Sequence, residues 1–370
     1  MQTNYQLASV LGMLYTGGNV CFSPDGTTLF SPVQNYLTAI QLRGEGNRSL
    51  PVANSSVQCF DISPDGDLAI VIANRGLGFF YSISSRVVLD TISFPPNATI
   101  GCVRFSPCGK HVALALESTL QIYNAPAHRV VSFRACHRLE NIHSAMTLPI
   151  TGIDWSADGE HVLLSGHDAR MRIYPRDVRN KKGFAQMHNN LVGHRAAVVK
   201  AWFLDDAGSH VVSISADNVA IVWRQTEVTR KEILQVIAVA SAQAKVAQLE
   251  HDVQAAEGDD DDVLAPSFLE KEKMKELIAS GVRVSDVVDE NLSGMLRYAY
   301  EVKRKVLLQH KGNVSVAAFH KERNLVAIGY TSGIFAVHAA GTDNFELVHL
   351  LSISAHSLTA AAFSPGGDWI

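Results

Sequence analysis

The chain has 370 residues, too many for one ordinary core and, at about 150 residues per domain, enough for two domains or one large repeat array. Apolar residues make up 47% and charged residues 18%, a balance that fills a core and excludes a mainly disordered chain. With 32 Lys and Arg against 36 Asp and Glu the formal charge is -4, so no overall basic field draws the chain to nucleic acid or to an anionic membrane, and any RNA contact has to be local.

The longest apolar stretches, such as Leu68 to Ala73 and Ile233 to Ala242, fall well short of the roughly 20 residues that a helical membrane span needs. The opening MQTNYQLASV has no basic segment followed by an apolar one, so the chain reads as intracellular and soluble, with neither a signal peptide nor a membrane partner. The cysteines Cys21, Cys59, Cys102, Cys108 and Cys136 form no CxxC pair. They read as reduced, mostly buried thiols rather than as a disulfide framework or a zinc site.

Self-comparison along the chain finds one recurring pattern, an apolar residue, usually Ser, a turn and Gly. It occurs as FSPDG from Phe22, ISPDG from Ile62, FSPCG from Phe105, WSADG from Trp155, FLDDAG from Phe203, FHKERN from Phe319 and FSPGG from Phe363. The intervals are 40, 43, 50, 48, 116 and 44 residues, so five agree with a period in the forties and one is long by about 70. Each pattern sits between short alternating strands, and its chemistry is that of a hairpin: Pro presets φ, Asp25, Asp65 and Asp158 cap their own turns, and Gly26, Gly66, Gly109 and Gly159 take positive φ. A third strand follows in each unit, from YLTAIQL (36–42) and LGFFYSI (77–83) to IFAVHA (334–339). Four short strands per period of about 40 to 45 residues predict an all-β, WD40-type β-propeller of six blades plus the start of a seventh.

The fifth unit is the most complete. His194 precedes Phe203 by nine residues, and Ser213, Asp217 and Trp223 follow at spacings that let the four side chains form one buried hydrogen-bonded chain, similar to the structural tetrad of WD40 blades. The other units are degenerate: Asp168 and Tyr174 keep the Asp-to-aromatic spacing without the His, and His310 stands nine residues before Phe319 without a later Asp or Trp.

The long interval lies between Trp223 and His310. Thr229 to Ala256 has no Gly or Pro and places apolar residues at helical spacing, Asp259 to Asp262 end that segment, and two further helices are expected over Ser267 to Ala279 and Ser285 to about Tyr300. The expected organisation is therefore blades one to five over 1–227, a helical and acidic insertion over 228–300 between blades five and six, and blade six with an incomplete blade seven over 301–370. The insertion is open to two readings. Its helices either pack on the rim of the propeller, or the stripe Val236, Val246, Leu249 and Val253 docks a partner.

No phosphate-binding GxxxxGK(S/T) loop, GxSxG elbow or HExxH helix is present, and Gly44-Glu45-Gly46 opens no helix. The pairs His137/His143 and His188/His194 stand six residues apart on expected loops, so no metal, cofactor or small-molecule substrate is anticipated, and no nucleophile and base come together. Basic residues cluster modestly over Arg176 to Lys182, at Arg224, Arg230 and Lys231, and over Lys303 to Lys305, on loops and blade edges without interleaved aromatics.

The run LGMLYTGGNVCFSPDGTTLFSPVQN (Leu11 to Asn35) resembles the opening of the periodic tryptophan protein 2 family, matching it at Leu11, Gly12, Tyr15, Gly18, Asn19, Phe22, Ser23, Asp25, Gly26, Ser31, Pro32, Val33 and Asn35. Further likeness follows over 103–126, 150–174, 193–208 and 325–335, and fails over 229 to about 291. The resemblance implies a scaffold subunit of the UTP-B subcomplex of the small-subunit processome, in the nucleus and nucleolus. Its partners would be other UTP-B WD40 subunits and processome proteins, with box C/D guide snoRNP and pre-rRNA reached indirectly. It also implies a tandem-propeller protein of greater length, for which FSPGGDWI would fall inside the first hairpin of blade seven, and it makes the chain a non-enzymatic protein. Such a piece taken alone leaves two sheet edges unpaired. The alternative is a generic WD40 adaptor for a ubiquitin ligase or a vesicle-coat complex.

Overall fold

The structure is a computed structural model and describes residues 17–42, 47–51, 55–74, 76–95, 98–129, 132–134, 137–142, 145–176, 189–227, 298–342 and 344–370. Six four-stranded sheets follow one another along the chain. Blade one holds β1 (Cys21–Phe22), β2 (Thr28–Val33), β3 (Tyr36–Gln41) and β4 (Asn47–Pro51), and blade two β5 (Val57–Ile62), β6 (Leu68–Ala73), β7 (Leu77–Ser82) and β8 (Val87–Ser93). Blade three is β9 (Ile100–Phe105), β10 (His111–Leu116), β11 (Thr119–Asn124) and β14 (His137–Ile142), with a separate hairpin of β12 (Ala127–Arg129) and β13 (Ser132–Arg134) before its last strand. Blade four comprises β15 (Ile150–Trp155), β16 (His161–Gly166), β17 (Arg170–Pro175) and β18 (Asn189–Val192). Blade five comprises β19 (Val198–Phe203), β20 (His210–Ser215), β21 (Val219–Glu227) and β22 (Tyr298–Leu307), and blade six β23 (Val314–His320), β24 (Leu325–Tyr330), β25 (Ile334–Ala340) and β26 (Phe345–Ser352).

The second strand of each sheet explains why there is no single core. In β6 all six residues are buried, and the period of two sends Ala69 and Val71 into a cluster with Phe30 and Leu37 of blade one, while Ile70 and Ile72 join Val103, Val112 and Leu114 of blade three. Both faces of a central strand are therefore apolar, as in any sheet covered on two sides. The same arrangement recurs between blades four and five around Trp223, between five and six around Trp202 and Tyr330, and between blade six and Leu358, Ala361 and Phe363 of the seventh unit.

Two compact units are present, one of Met1–Asp177, Asn190–Gln225 and Tyr300–Ile370, the other of Val178–Asn189 and Thr226–Ala299. The helices expected over 229–256 and 267–279, and the third up to residue 297, lie outside the described residues. Tyr298 to Tyr300, expected as the end of a helix, are strand. One boundary is corrected: β22 is the fourth strand of blade five, so residues 228–297 are inserted within that blade, between its third and fourth strands, and not after a finished blade. The hairpin β12–β13 was not anticipated.

Candidate functional site

The repeated turns are built alike. Gly26, Gly66, Gly109, Gly159, Gly208 and Gly367 have φ between 68° and 79°, and Asn324 takes the same place at 50°. Each amide closes its turn on the residue three before it, as in Gly66 N to Ser63 O at 2.9 Å and Gly159 N to Ser156 O at 2.9 Å. The turn aspartates accept from the residue two ahead, Asp25 from Thr27 N at 3.0 Å, Asp65 from Asp67 N at 3.2 Å and Asp158 from Glu160 N at 2.9 Å, and each also receives a Ser hydroxyl, from Ser23, Ser63 and Ser156. These donors bring Asp25 below the ordinary carboxylate range, the Ser23 hydroxyl contributing most. Successive turns also touch. A Cβ on Gly66 would stand 3.3 Å from Pro24 Cδ, one on Gly109 3.5 Å from Pro64 Cδ, and one on Gly26 3.5 Å from Pro365 Cδ, so the seventh turn abuts the first.

The innermost strands surround a channel of about 870 Å³. In blades two to six the first strand carries a β-bulge, whose extra residues are Gln58, Gly101, Thr151, Val199 and Ser315, all on the channel wall. At three of these positions adjacent blades come close enough that the extra residue is Gly or a hydroxyl that bonds across. Thr151 Oγ1 donates to Val198 O at 2.5 Å, Ser315 Oγ to Leu358 O at 2.7 Å, and a Cβ on Gly101 would sit 2.5 Å from Ile150 O.

A second row of bonds crosses at the other end of the same strands. Asn19 accepts from Phe60 N at 3.0 Å and donates to Phe60 O at 2.7 Å, Asp61 accepts from Phe105 N at 2.7 Å, Trp155 Nε1 donates to Arg104 O at 3.2 Å, and Asp154 accepts from Phe203 N at 2.9 Å. Burial raises Asp154 to about 6 against these donors, and raises Asp61 despite the Arg104 guanidinium 3.3 Å away. Arg104 in turn is held above its usual range, chiefly by Asp61. These charged groups satisfy edge amides of the neighbouring blade, which is a structural task.

Blade five holds the predicted network in part. His194 Nε2 lies 2.7 Å from Ser213 Oγ, Trp223 Nε1 donates to the same oxygen at 2.8 Å, and Ser213 Oγ is 3.4 Å from Ile221 O. Asp217 is bonded to the Ser215 hydroxyl, and His194 Nδ1 is buried with no protein partner. The network therefore joins three of the four residues. Burial lowers His194 to about 4, with Asp217 working against the shift and Lys305 for it. The fifth position of the third strand, occupied by Trp223 here, is Tyr174 in blade four and His338 in blade six. Tyr174 Oη reaches Ala145 O at 2.7 Å, with Asp168 accepting from Thr147 N at 3.3 Å, so main chain stands in for the missing histidine. In blade six His310, Tyr330 and His338 pack ring against ring at 5.2 to 5.9 Å instead.

Sequence reasoning missed the bulges, whose extra residue stands four places before the apolar end of each strand but is Gln, Gly, Thr, Val or Ser in turn, so no residue type marks it. Among the described residues no group of three or more His, Cys, Asp or Glu converges as a metal site, and Cys21, Cys59, Cys102 and Cys108 are free thiols. Cys136 and Gly44 to Gly46 lie outside the described residues.

No protein-family model matches the chain. Over its whole length it is similar to periodic tryptophan protein 2 homologues, with 26% identity to that of Neurospora crassa, 28% to that of Mus musculus and 24% to that of Saccharomyces cerevisiae. It covers 35%, 38% and 34% of those proteins, so it spans little more than a third of their length. Among solved structures it is similar to a chain of the mitotic checkpoint complex, at 11% identity and a TM-score of 0.63 over 99% of this chain and 87% of that one. It is also similar to a Cps50 (Swd1) beta-propeller domain, at 13% identity and a TM-score of 0.59 over 94% of this chain and 90% of that one. Both likenesses are of fold.

Proposed function

We propose that the chain is a non-enzymatic scaffold in ribosome biogenesis, supporting assembly of the small-subunit processome and maturation of the small-subunit rRNA precursor within the UTP-B subcomplex. The observation that carries this reading is the similarity of the whole chain, from 22 to 28% identical, to periodic tryptophan protein 2 proteins of animals, plants and fungi. The distribution of polar groups supports it: the buried charges of the channel bond to neighbouring blades, leaving turns and outer strands as the surfaces that meet partners. Those partners are other UTP-B WD40 subunits and processome proteins, with box C/D guide snoRNP and pre-rRNA reached through them, in the nucleolus.

Affinity purification of the tagged chain from nuclear extract, read by mass spectrometry and by guide-RNA hybridisation, tests the proposal. Recovery of UTP-B proteins with guide RNA is the expected result, and recovery of a ubiquitin-ligase or vesicle-coat set without them would establish the adaptor reading instead.

A further inference from the structure

At the end of the blades opposite the repeated Asp-Gly turns lie the segments that enter each blade and the turns between its second and third strands. In blades four to six this end carries cations that nothing neutralises. Arg170 opens β17, Arg195 lies in the segment entering blade five, Lys305 stands near the end of β22, and Lys311 lies in the segment entering blade six. All four are exposed, and among the described residues none of their side chains has a hydrogen-bond or ion-pair partner. At the other end of the same blades Arg176 meets Glu160 at 3.0 Å, Lys321 meets Asp206 at 2.7 Å and Arg323 meets Asp368 at 2.7 Å. Two carboxylates are described at the unpaired end of these blades, and both are committed to their own turns: Asp168 accepts from Thr147 N at 3.3 Å and from Arg170 N at 3.2 Å, and Asp217 from the Ser215 hydroxyl. The cations are held in place by their backbone. Lys311 O accepts from Ser332 Oγ at 2.6 Å and Gly312 O from Asn218 Nδ2 at 2.8 Å, which fixes Lys311 between the turns of blades five and six, and the Lys305 charge reaches His194, the residue before Arg195. Exposed aliphatic side chains accompany them. Leu148, 47% exposed, follows Thr147, which the Asp168 carboxylate ties to Arg170; Val192, 58% exposed, stands three residues before Arg195; and Leu307, 63% exposed, lies between Lys305 and Lys311.

We propose that this arc over blades four to six is a docking site for an extended acidic segment of a partner protein, one that mixes Glu or Asp with leucine-type residues. The choice of ligand follows from the two chemistries that the arc combines. Single exposed aliphatic residues are ordinary on a surface, but here three stand among four unpaired cations, so one segment carrying both carboxylates and aliphatic side chains satisfies both sets. Single-stranded RNA binds a basic groove by stacking its bases on aromatic side chains, and no exposed Phe, Tyr or Trp is described on this arc, so its bases would face Leu148, Val192 and Leu307 instead. The arc also has a border. Met146 N donates to Ser118 O at 3.1 Å, which sets the segment carrying Leu148 against the blade-three turn, and the exposed Glu117 of that turn repels an acidic chain that runs on. The site does not depend on which assembly the chain serves.

The test uses the full chain with two fluorescein-labelled peptides, one of alternating Glu and Ser and one in which every second Ser is Leu, and a labelled uridine oligonucleotide, with fluorescence anisotropy as readout. The Leu-bearing peptide is expected to bind more tightly than the Glu-Ser peptide, both in a salt-dependent manner. The quadruple variant Arg170→Glu, Arg195→Glu, Lys305→Glu, Lys311→Glu should weaken both by at least about tenfold. Leu307→Ser should weaken the Leu-bearing peptide alone, and Arg224→Glu, at the other end of blade five, should change neither. Should the quadruple variant melt early, the milder pair Arg170→Gln, Lys311→Gln reads the same loss at a smaller fold-change. Peptide affinity that is indifferent to the charge changes overturns the proposal, as does an oligonucleotide that outcompetes the peptides and loses affinity on the same substitutions.

Discussion

Ser213→Ala puts the blade-five network to its sharpest test. Ser213 is fully buried, and its hydroxyl is the single meeting point of His194 Nε2 at 2.7 Å and Trp223 Nε1 at 2.8 Å. His194 Nδ1 meets no acceptor, which assigns the ring proton to Nε2 and makes both neighbours donors to Ser213, whose own proton is aimed at Ile221 O. Alanine removes the acceptor from two buried donors at once. Each stranded donor costs roughly 1 to 3 kcal/mol, and the two together about 2 to 4 kcal/mol. Asp217→Ala is expected to cost only about 1 kcal/mol, because that carboxylate is bonded to Ser215 in its own turn and not to His194. The assay is urea denaturation followed by tryptophan fluorescence, with Trp223→Phe and the double variant completing a cycle whose coupling should reach about 1 kcal/mol. A Ser213→Ala chain within about 0.5 kcal/mol of the parent, or an Asp217→Ala chain less stable than Ser213→Ala, refutes the three-member network.

Further outcomes follow from the same geometry. Burial lowers His194 and His338 to about 4, below the ordinary imidazole value of 6.5, so the unfolded chain takes up these protons first. Stability is then full above about pH 7 and is lost as pH falls from 6.5 towards 4, by about 2 kcal/mol per histidine at pH 5. Asp154, raised to about 6, returns about 1 kcal/mol over the same interval, so Asp154→Asn should steepen the acid loss seen in urea melts at neutral pH and at pH near 5, and a flat profile would contradict both assignments. Cys108 sits where the turns of blades one, two and four hold Asp25, Asp65 and Asp158: its slight burial works to raise it, but the Ser106 hydroxyl, the Lys110 amide and the Lys110 charge outweigh that and lower it, whereas burial pushes Cys21 up to about 12. Iodoacetamide followed by peptide mapping should label Cys108 well before Cys21, Cys59 or Cys102, and simultaneous labelling would count against the native ring. Gly101→Ala should destabilise by about 2 kcal/mol or more because its Cβ would stand 2.5 Å from Ile150 O, a loss that thermal melting reads directly.

What was legible in the chain was whatever chemistry repeats locally. Pro, Asp and Gly at fixed offsets announced the turns, and those turns form, down to the positive φ at Asn324 where the sequence has no glycine. The continuous apolar runs such as Leu68 to Ala73 announced strands covered on both faces. What did not show was anything decided between blades. The bulges at Gln58, Gly101, Thr151, Val199 and Ser315 arise because innermost strands of neighbouring sheets approach one another, and no local pattern records that approach. The partner of Asp217 was misjudged for a similar reason: spacing places a carboxylate near a histidine, but the nearer Ser215 hydroxyl, two residues away in the same turn, competes for it. The strand β22 was hidden behind about seventy residues whose composition favours helices, so its place as the last strand of blade five could be seen only from the pairing.

The blade-five network is independent of the long interruption that follows it. In blade two the third and fourth strands are joined by residues 83–86, whereas in blade five residues 228–297 intervene. The network draws its three members from the segment entering the blade and from its second and third strands, His194, Ser213 and Trp223, and needs nothing from β22. In blades one and two Ile40 and Tyr81 occupy the place of Trp223 and are buried there. The hydrogen bonds that join the inner strands of blade five therefore do not rest on how its fourth strand is reached.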